Sequence, residues 1–243
     1  MMNLRALLKN STKILAVFPH PDDESFVSAG LFQVAQEFGI ETFLITLTKG
    51  EKGENSFQEG DLSKIREKEL KLSAKILGID KVDLWNYSDA GLRDSKKGWV
   101  TKLKAKIVSL KPDIILTFDH SGITGHPDHI IVSVEILAIV KSMKKKPVLL
   151  WRVPDEQEKT YFKDNGALPY ASEPTHNLDL SFIKSLKKVL AIFSHKSQMK
   201  DFRFKLQILE WFLFDHKELY IEVDLGKPHT HRFVFVKTGK KSV

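Results

Sequence analysis

The chain has 243 residues, and its 42% hydrophobic and 28% charged composition is that of an ordinary globular protein able to bury a sizeable core. It has no cysteine, which excludes disulfides, thiolate metal sites and a cysteine nucleophile, so a metal would have to be held by imidazole and carboxylate. The formal charge is +7, but the runs Lys144-Lys145-Lys146, Lys187-Lys188 and Lys240-Lys241 lack interleaved aromatics and read as solvated faces and a tail. No nucleic-acid partner is therefore expected. An acidic small substrate suits the charge, and nothing in the composition argues against a homo-oligomer. Met1 to Lys13 lack the apolar core of a signal peptide and no apolar run is long enough to span a bilayer, so the expected location is cytoplasmic.

In chain order, the apolar run Ile14–Phe18 predicts a buried strand, and Glu24 to Phe38 a helix closed by Gly39. A strand is expected at Glu41–Leu47, followed by the polar loop Thr48 to Gly53, whose glycines lack P-loop spacing. Helix Leu62–Leu77, strand Val82–Trp85, polar loop Tyr87–Asp94, helix Trp99–Leu110 and strand Asp113–Phe118 come next. Helix Asp128–Val140 and strand Val148–Trp151 complete the alternation. Strands alternating with helices predict an α/β fold with three layers, α/β/α: a mostly parallel, Rossmann-like sheet over about 12–151. Residues 152–180 have weak periodicity and three prolines, and read as a substrate-facing flap. Helices at Ser181–Ser194 and Lys200–Phe214 and strands at Glu218–Val223 and His231–Val236 follow. The whole is expected to be one domain.

Two polar clusters follow strands and open helices: His20-Pro21-Asp22-Asp23-Glu24 and His126-Pro127-Asp128-His129. Each alone reads blandly as a solvated turn with an Asp capping a helix, and Glu24 as an acid favouring a helix N-terminus. His120, His176, His216, His229 and His231 read as ordinary surface histidines. The repetition of His-Pro-Asp at two equivalent strand-to-helix turns goes beyond that reading. Such turns share the carboxyl edge of a parallel sheet, where α/β folds bind ligands. His20, Asp23 and His129 then supply two imidazoles and one carboxylate, a ligand set that leaves a divalent metal open positions for catalysis. Asp22 is left beside the metal as a general base. His126 is left as an oxyanion donor in its imidazolium form, with Asp128 accepting from its other ring nitrogen.

These residues resemble the PIG-L/LmbE-like metal-dependent deacetylases. The segments Pro19-His20-Pro21-Asp22-Asp23-Glu24 and Gly125-His126-Pro127-Asp128-His129 carry the resemblance, with Pro19 where alanine is commoner. Weaker matches run in family order through Thr46 to Glu51, Arg66 with Glu69, Asp89 to Leu92, Pro112-Asp113 and His195 to Gln198. The resemblance implies His20, Asp23 and His129 as ligands of Zn2+, with Fe2+ or another divalent ion also suited. It implies Asp22 as base, His126 as oxyanion stabiliser, and Arg66, Asp89 and His195 at the substrate end. The implied activity is removal of an N-acetyl group from an N-acetylglucosamine (GlcNAc) compound. Two other readings stand beside it. One is a non-haem Fe(II) oxygenase using His20, Asp22 and a distant His, a triad carried by all-β frameworks. The other is a non-catalytic ligand-binding relative.

Overall fold

The computed structural model describes residues 1–199, 205–206, 208–210 and 217–227. The described elements are β1 (Met2–Asn3), α1 (Leu4–Leu8), β2 (Lys13–Phe18), α2 (Asp23–Glu37), β3 (Glu41–Thr48), α3 (Leu62–Leu77), β4 (Lys81–Tyr87) and α4 (Lys96–Leu110). They continue with β5 (Ile114–Phe118), α5 (Pro127–Ser142), β6 (Val148–Arg152), α6 (Glu156–Tyr161), β7 (His176–Asp179), α7 (Phe182–Ser194) and β8 (Lys217–Glu222). The strands form one sheet in the order β1-β7-β8-β6-β5-β2-β3-β4. Strands β4, β3, β2, β5 and β6 are parallel neighbours, and β8 runs antiparallel between β6 and β7.

Alternation along the central strand builds two apolar layers. Ile14, Ala16 and Phe18 join α2, α3 and α7 in one core, while Leu15 and Val17 join α4 and α5 in the other. A strand buried on both faces needs apolar residues at every position, which is what the Ile14–Phe18 run provides. The chain winds from β2 to β3 and β4 on one side, then crosses to β5 and β6 on the other. The carboxyl ends of β2 and β5 thus flank the switch point of an open parallel sheet, where a crevice forms. Both His-Pro-Asp turns open there. This parallel α/β frame differs from the all-β frame that the oxygenase reading requires.

Helix α2 is kinked at Ser28, with φ −141° and ψ 18°. Two buried charges from distant strands close the break. Arg152 Nε donates to the Val27 carbonyl at 2.9 Å, and the Glu218 carboxylate accepts from Gly30 N at 2.8 Å and Leu31 N at 3.1 Å. The kink lets the first turn of α2 face the crevice while the rest packs on the sheet.

Several elements were not expected. Strands β1 and β7 are two and four residues long, too short to show a period, and exist through pairing with each other and with β8. The flap at 152–180 contains α6, whose start is fixed by an Asp155/Glu158 capping box. The expected strand at Glu218–Val223 is observed as β8. The expected helix at Lys200–Phe214 falls largely, and the expected strand at His231–Val236 wholly, outside the described residues. Among the described residues, no helix is long and apolar enough to cross a membrane.

Candidate metal and active site

The first motif leaves β2 in a turn that is tied down residue by residue. The Pro19 carbonyl accepts from Thr48 N and Oγ1, both at 2.9 Å, joining the turn to the end of β3. Asp23 Oδ2 accepts from His20 N at 2.9 Å, which turns the Asp23 side chain back toward the imidazole of His20. Asp22 sits at φ 114°, a region L-residues rarely adopt.

The second motif leaves β5 through Gly122 and Gly125, both at positive φ. A Cβ on Gly122 would lie 2.8 Å from the Cβ of His129, so the loop can pass this close only without a side chain. Its carbonyl sits 2.9 Å from His129 Nδ1, which places the proton on Nδ1 and leaves Nε2 bare. Phe118 stacks flat on the His129 ring, with centroids 4.2 Å apart and planes at 8°. Pro127 occupies the first helical turn of α5, where its missing N–H costs nothing.

Across the crevice, His129 Nε2 lies 3.3 Å from His20 Nδ1 and 3.4 Å from Asp23 Oδ1. His20 Nδ1 lies 3.8 Å from Asp23 Oδ2. Donors bound at about 2.0–2.1 Å around a tetrahedral ion stand about 3.3–3.4 Å from one another, which the two separations from His129 match and the one between His20 and Asp23 exceeds. His20 Nε2 faces the other way, toward Asp89 Oδ1 at 3.1 Å and Asp128 Oδ2 at 3.5 Å. Carboxylates behind an imidazole hold its ring and proton in place for a ligand on the far nitrogen. Donors of His20, the half-buried His126 and His129 also cluster closely enough to share an ion, as do the buried donors of His20, Asp89 and Asp128.

The electrostatics call for positive charge. Burial alone would lower His20, but Asp128, Asp89 and Asp23 outweigh it and push the imidazole up to about 10. Burial, with the charges of Asp22 and Glu24, raises Asp23 to about 8. His129 is held well below its ordinary value, by burial first and by the charge on His20 second. Protons thus occupy a cluster whose natural counterion is a cation.

Asp22 is only partly exposed, and Arg66 Nη2 reaches its Oδ2 at 3.0 Å. Arg66 also donates to the carbonyls of Pro21 and Gly50. A Cβ on Gly50 would lie 2.5 Å from the guanidinium, so that glycine makes room for the clamp. Arg66 and Asp89 line the same hollow of about 400 Å3 as His20, Asp22, Asp23, His126 and His129. The flap closes this hollow with Glu158, Tyr161 and Phe162. A hollow of about 580 Å3 at the opposite edge of the sheet is lined by lysines and apolar groups and carries no imidazole.

Several sequence expectations need correction. Asp128 does not reach the ring of His126 with its carboxylate. Its backbone N–H donates to His126 Nδ1 at 3.1 Å, because His126 is the N-cap of α5. The Asp128 carboxylate accepts from Leu92 N at 3.2 Å instead. His126 is accordingly lowered, by burial first and by His20 second, which favours a neutral ring with its proton on Nε2 over the expected imidazolium. His195 is fully buried, and its Nε2 meets Glu24 Oε1 at 2.8 Å rather than the hollow. His120 and His176, expected at the surface, are buried. Glu24, expected as a simple helix-start acid, is fully buried, which its position beside Asp23 does not signal.

A family model described as PIG-L, GlcNAc-PI de-N-acetylase, matches residues 15–140, just over half of the 243 residues. The chain belongs to the PIG-L family. A probable N-acetyl-alpha-D-glucosaminyl L-malate deacetylase 2 of Bacillus anthracis is 35% identical over 128 residues, covering 50% of this chain and 56% of that protein. A 1D-myo-inositol 2-acetamido-2-deoxy-alpha-D-glucopyranoside deacetylase of Corynebacterium glutamicum is 29% identical over 179 residues, covering 63% of this chain and 60% of that protein. The chain thus spans less than two thirds of the length of these curated PIG-L relatives. The solved N,N'-diacetylchitobiose deacetylase of Pyrococcus horikoshii shares the fold, with a TM-score of 0.66, 22% identity, and 95% of this chain and 94% of that chain covered.

Proposed function

We propose that this PIG-L protein is a metal-dependent hydrolase that removes the N-acetyl group from a GlcNAc-type small molecule. One observation carries the reading: His20 Nδ1, His129 Nε2 and the Asp23 carboxylate converge near ligand spacing beside a second carboxylate, Asp22. These three residues would hold the ion, with Zn2+ the default and Fe2+ also suited to a site without thiolate. A divalent ion held there supplies Lewis-acid polarisation of the acetamide carbonyl and a lowered pKa for the attacking water.

The chain's own groups do the rest. Asp22, fixed by Arg66, takes the proton from the attacking water as it adds to the carbonyl carbon. The oxyanion that forms receives a hydrogen bond from the neutral His126 Nε2–H. As the carbon–nitrogen bond breaks, Asp22 returns its proton to the departing amine, giving acetate and a glucosamine derivative. Asp89 keeps the His20 ring in place and, with Arg66, faces the sugar side of the hollow. Glu158, Tyr161 and Phe162 of the flap contact what lies beyond the acetamide.

The names of the two curated relatives described above, both deacetylases of GlcNAc-type compounds, support the substrate class. The test is a panel of N-acetylglucosaminides assayed for released amine, with and without chelation. Release that stops on chelation and returns with zinc is expected; no release from any member would overturn the reading.

A further inference from the structure

Asp22 does not hold its own backbone in place. Its φ of 114° and ψ of −32° are strained for an L-residue, and such a conformation persists only when its surroundings impose it. The surroundings are specific. The Asp22 carbonyl receives Ser25 N at 2.9 Å and Ser25 Oγ at 2.8 Å. The Asp22 N–H donates to Glu24 Oε2 at 3.0 Å.

Glu24 is fully buried, two residues beyond the amide it accepts from. Its other oxygen, Oε1, accepts from Ser73 Oγ of α3 at 2.5 Å and from His195 Nε2, just past α7, at 2.8 Å. Burial would raise Glu24, but the charge and hydrogen bond of His195 lead the groups that hold it below its usual range. His195 is raised in turn, against its own burial. The pair is sealed from water and joins the first motif to a residue far along the chain.

We propose that Glu24 and His195 form a buried positioning pair whose task is to hold the backbone of Asp22 in its strained turn, so that the Asp22 carboxylate points at the reacting centre. The proposal rests on Asp22 being the base. It gives His195 a role without any contact with substrate. Three donors converge on one carboxylate, and each edge of it is used. Glutamine in its place offers one oxygen and one NH2, so at least one of the three donors would face another donor.

The experiment pairs Glu24→Gln, His195→Leu and His195→Gln with the wild-type holoenzyme. Below the melting temperature of each variant, hydrogen exchange at the Asp22 amide and the kinetics of amine release are measured, with metal content recorded alongside. Glu24→Gln is expected to keep its metal and its KM, to lose roughly 10²-fold in kcat through a misplaced base, and to expose the Asp22 amide to exchange. His195→Gln still offers an N–H to Glu24 and is expected to lie closer to wild type in both readouts than His195→Leu. A role confined to stability would lower the melting temperature and leave kcat per folded, metal-loaded molecule unchanged. Unchanged exchange at Asp22 in folded Glu24→Gln would overturn the proposal. The exchange measurement needs no turnover, so a wild-type protein that releases no amine would overturn the deacetylase reading while exchange still decides this one.

Discussion

His20 Nδ1 and His129 Nε2 face each other at 3.3 Å, each ring fixed from behind, His20 by Asp89 and Asp128 and His129 by the Gly122 carbonyl. Two ring nitrogens at that separation need a proton or a cation between them. A proton on His20 is one answer, and a metal ion is the other. The two answers have opposite pH behaviour. In chelated protein, His20 is raised to about 10 from an ordinary 6.5. Its contribution to stability is then fully present below about pH 6.5 and is lost as pH rises through about 10. Asp23, raised to about 8, acts in the same direction. The melting temperature of chelated protein should therefore fall on going from pH 6.5 to 10. Metal displaces these protons, so the holoprotein should lack this fall and metal affinity should rise with pH over the same range. Equal pH dependence of melting with and without metal would count against a shared site.

The two histidines of the second motif should fail differently. His129→Ala removes a group whose bare nitrogen sits 3.4 Å from Asp23, so metal content and activity should fall together. His126→Ala leaves His20, Asp23 and His129 untouched, so metal content should stay near wild type while turnover drops by roughly 10²–10³. Elemental analysis of the two purified variants, beside their kcat values, checks this. Metal loss in His126→Ala with retention in His129→Ala would exchange the roles.

Asp22→Asn should keep its metal and lose roughly 10²–10⁴ in kcat, since an amide cannot take the proton of water. Arg66→Lys should be milder than Arg66→Ala, because a point charge can still reach Asp22 but cannot also bond two carbonyls. Steady-state kinetics with metal content held equal separates these from ligand loss.

The protonation state of His126 predicts the shape of the pH profile. As the N-cap of α5 it accepts from Asp128 N, and burial and His20 lower it from 6.5. A cation on the neighbouring ligands would push in the same direction. Protonation would displace the cap bond, so activity is present above its lowered pKa and falls on the acidic side. No alkaline limb should belong to His126. The kcat profile of His126→Ala, compared with wild type, should keep the wild-type alkaline limb; its loss would restore an imidazolium donor.

The frame and the first contacts of the site are legible in the sequence for plain reasons. The run Ile14–Phe18 has no polar position and so belongs inside a parallel sheet, and two His-Pro-Asp turns after such strands share one edge. The deeper connections are not legible. That Asp128 turns its backbone rather than its carboxylate to His126 depends on where α5 begins, a matter of one residue. That Glu24 is buried against His195 depends on how α7 packs beside α3. Strand β7 is four half-polar residues and is set by its neighbours. The α2 kink at Ser28 is fixed by Arg152 and Glu218 from strands far along the chain.

The flap offers a further check. Asn165 Nδ2 donates to the Ile123 carbonyl at 2.9 Å, and Asp119 Oδ2 accepts from Ser172 N at 2.7 Å, so the flap is fastened to the loop that carries the second motif. A Cβ on Gly125 would lie 2.1 Å from Asn165 Oδ1, at a φ of +75° that disfavours a side chain. Gly125→Ala should release the flap, raise KM more than it lowers kcat, and speed proteolysis between residues 160 and 171. Unchanged KM and cleavage rate would place substrate selection elsewhere on the rim.

The central claim is tested most directly by titrating zinc into chelated protein while amine release from an N-acetylglucosaminide is followed. The account predicts no release without metal and a rise that saturates at one ion per chain, with His20→Ala and His129→Ala failing to respond. Full release by protein shown to be free of metal would contradict it.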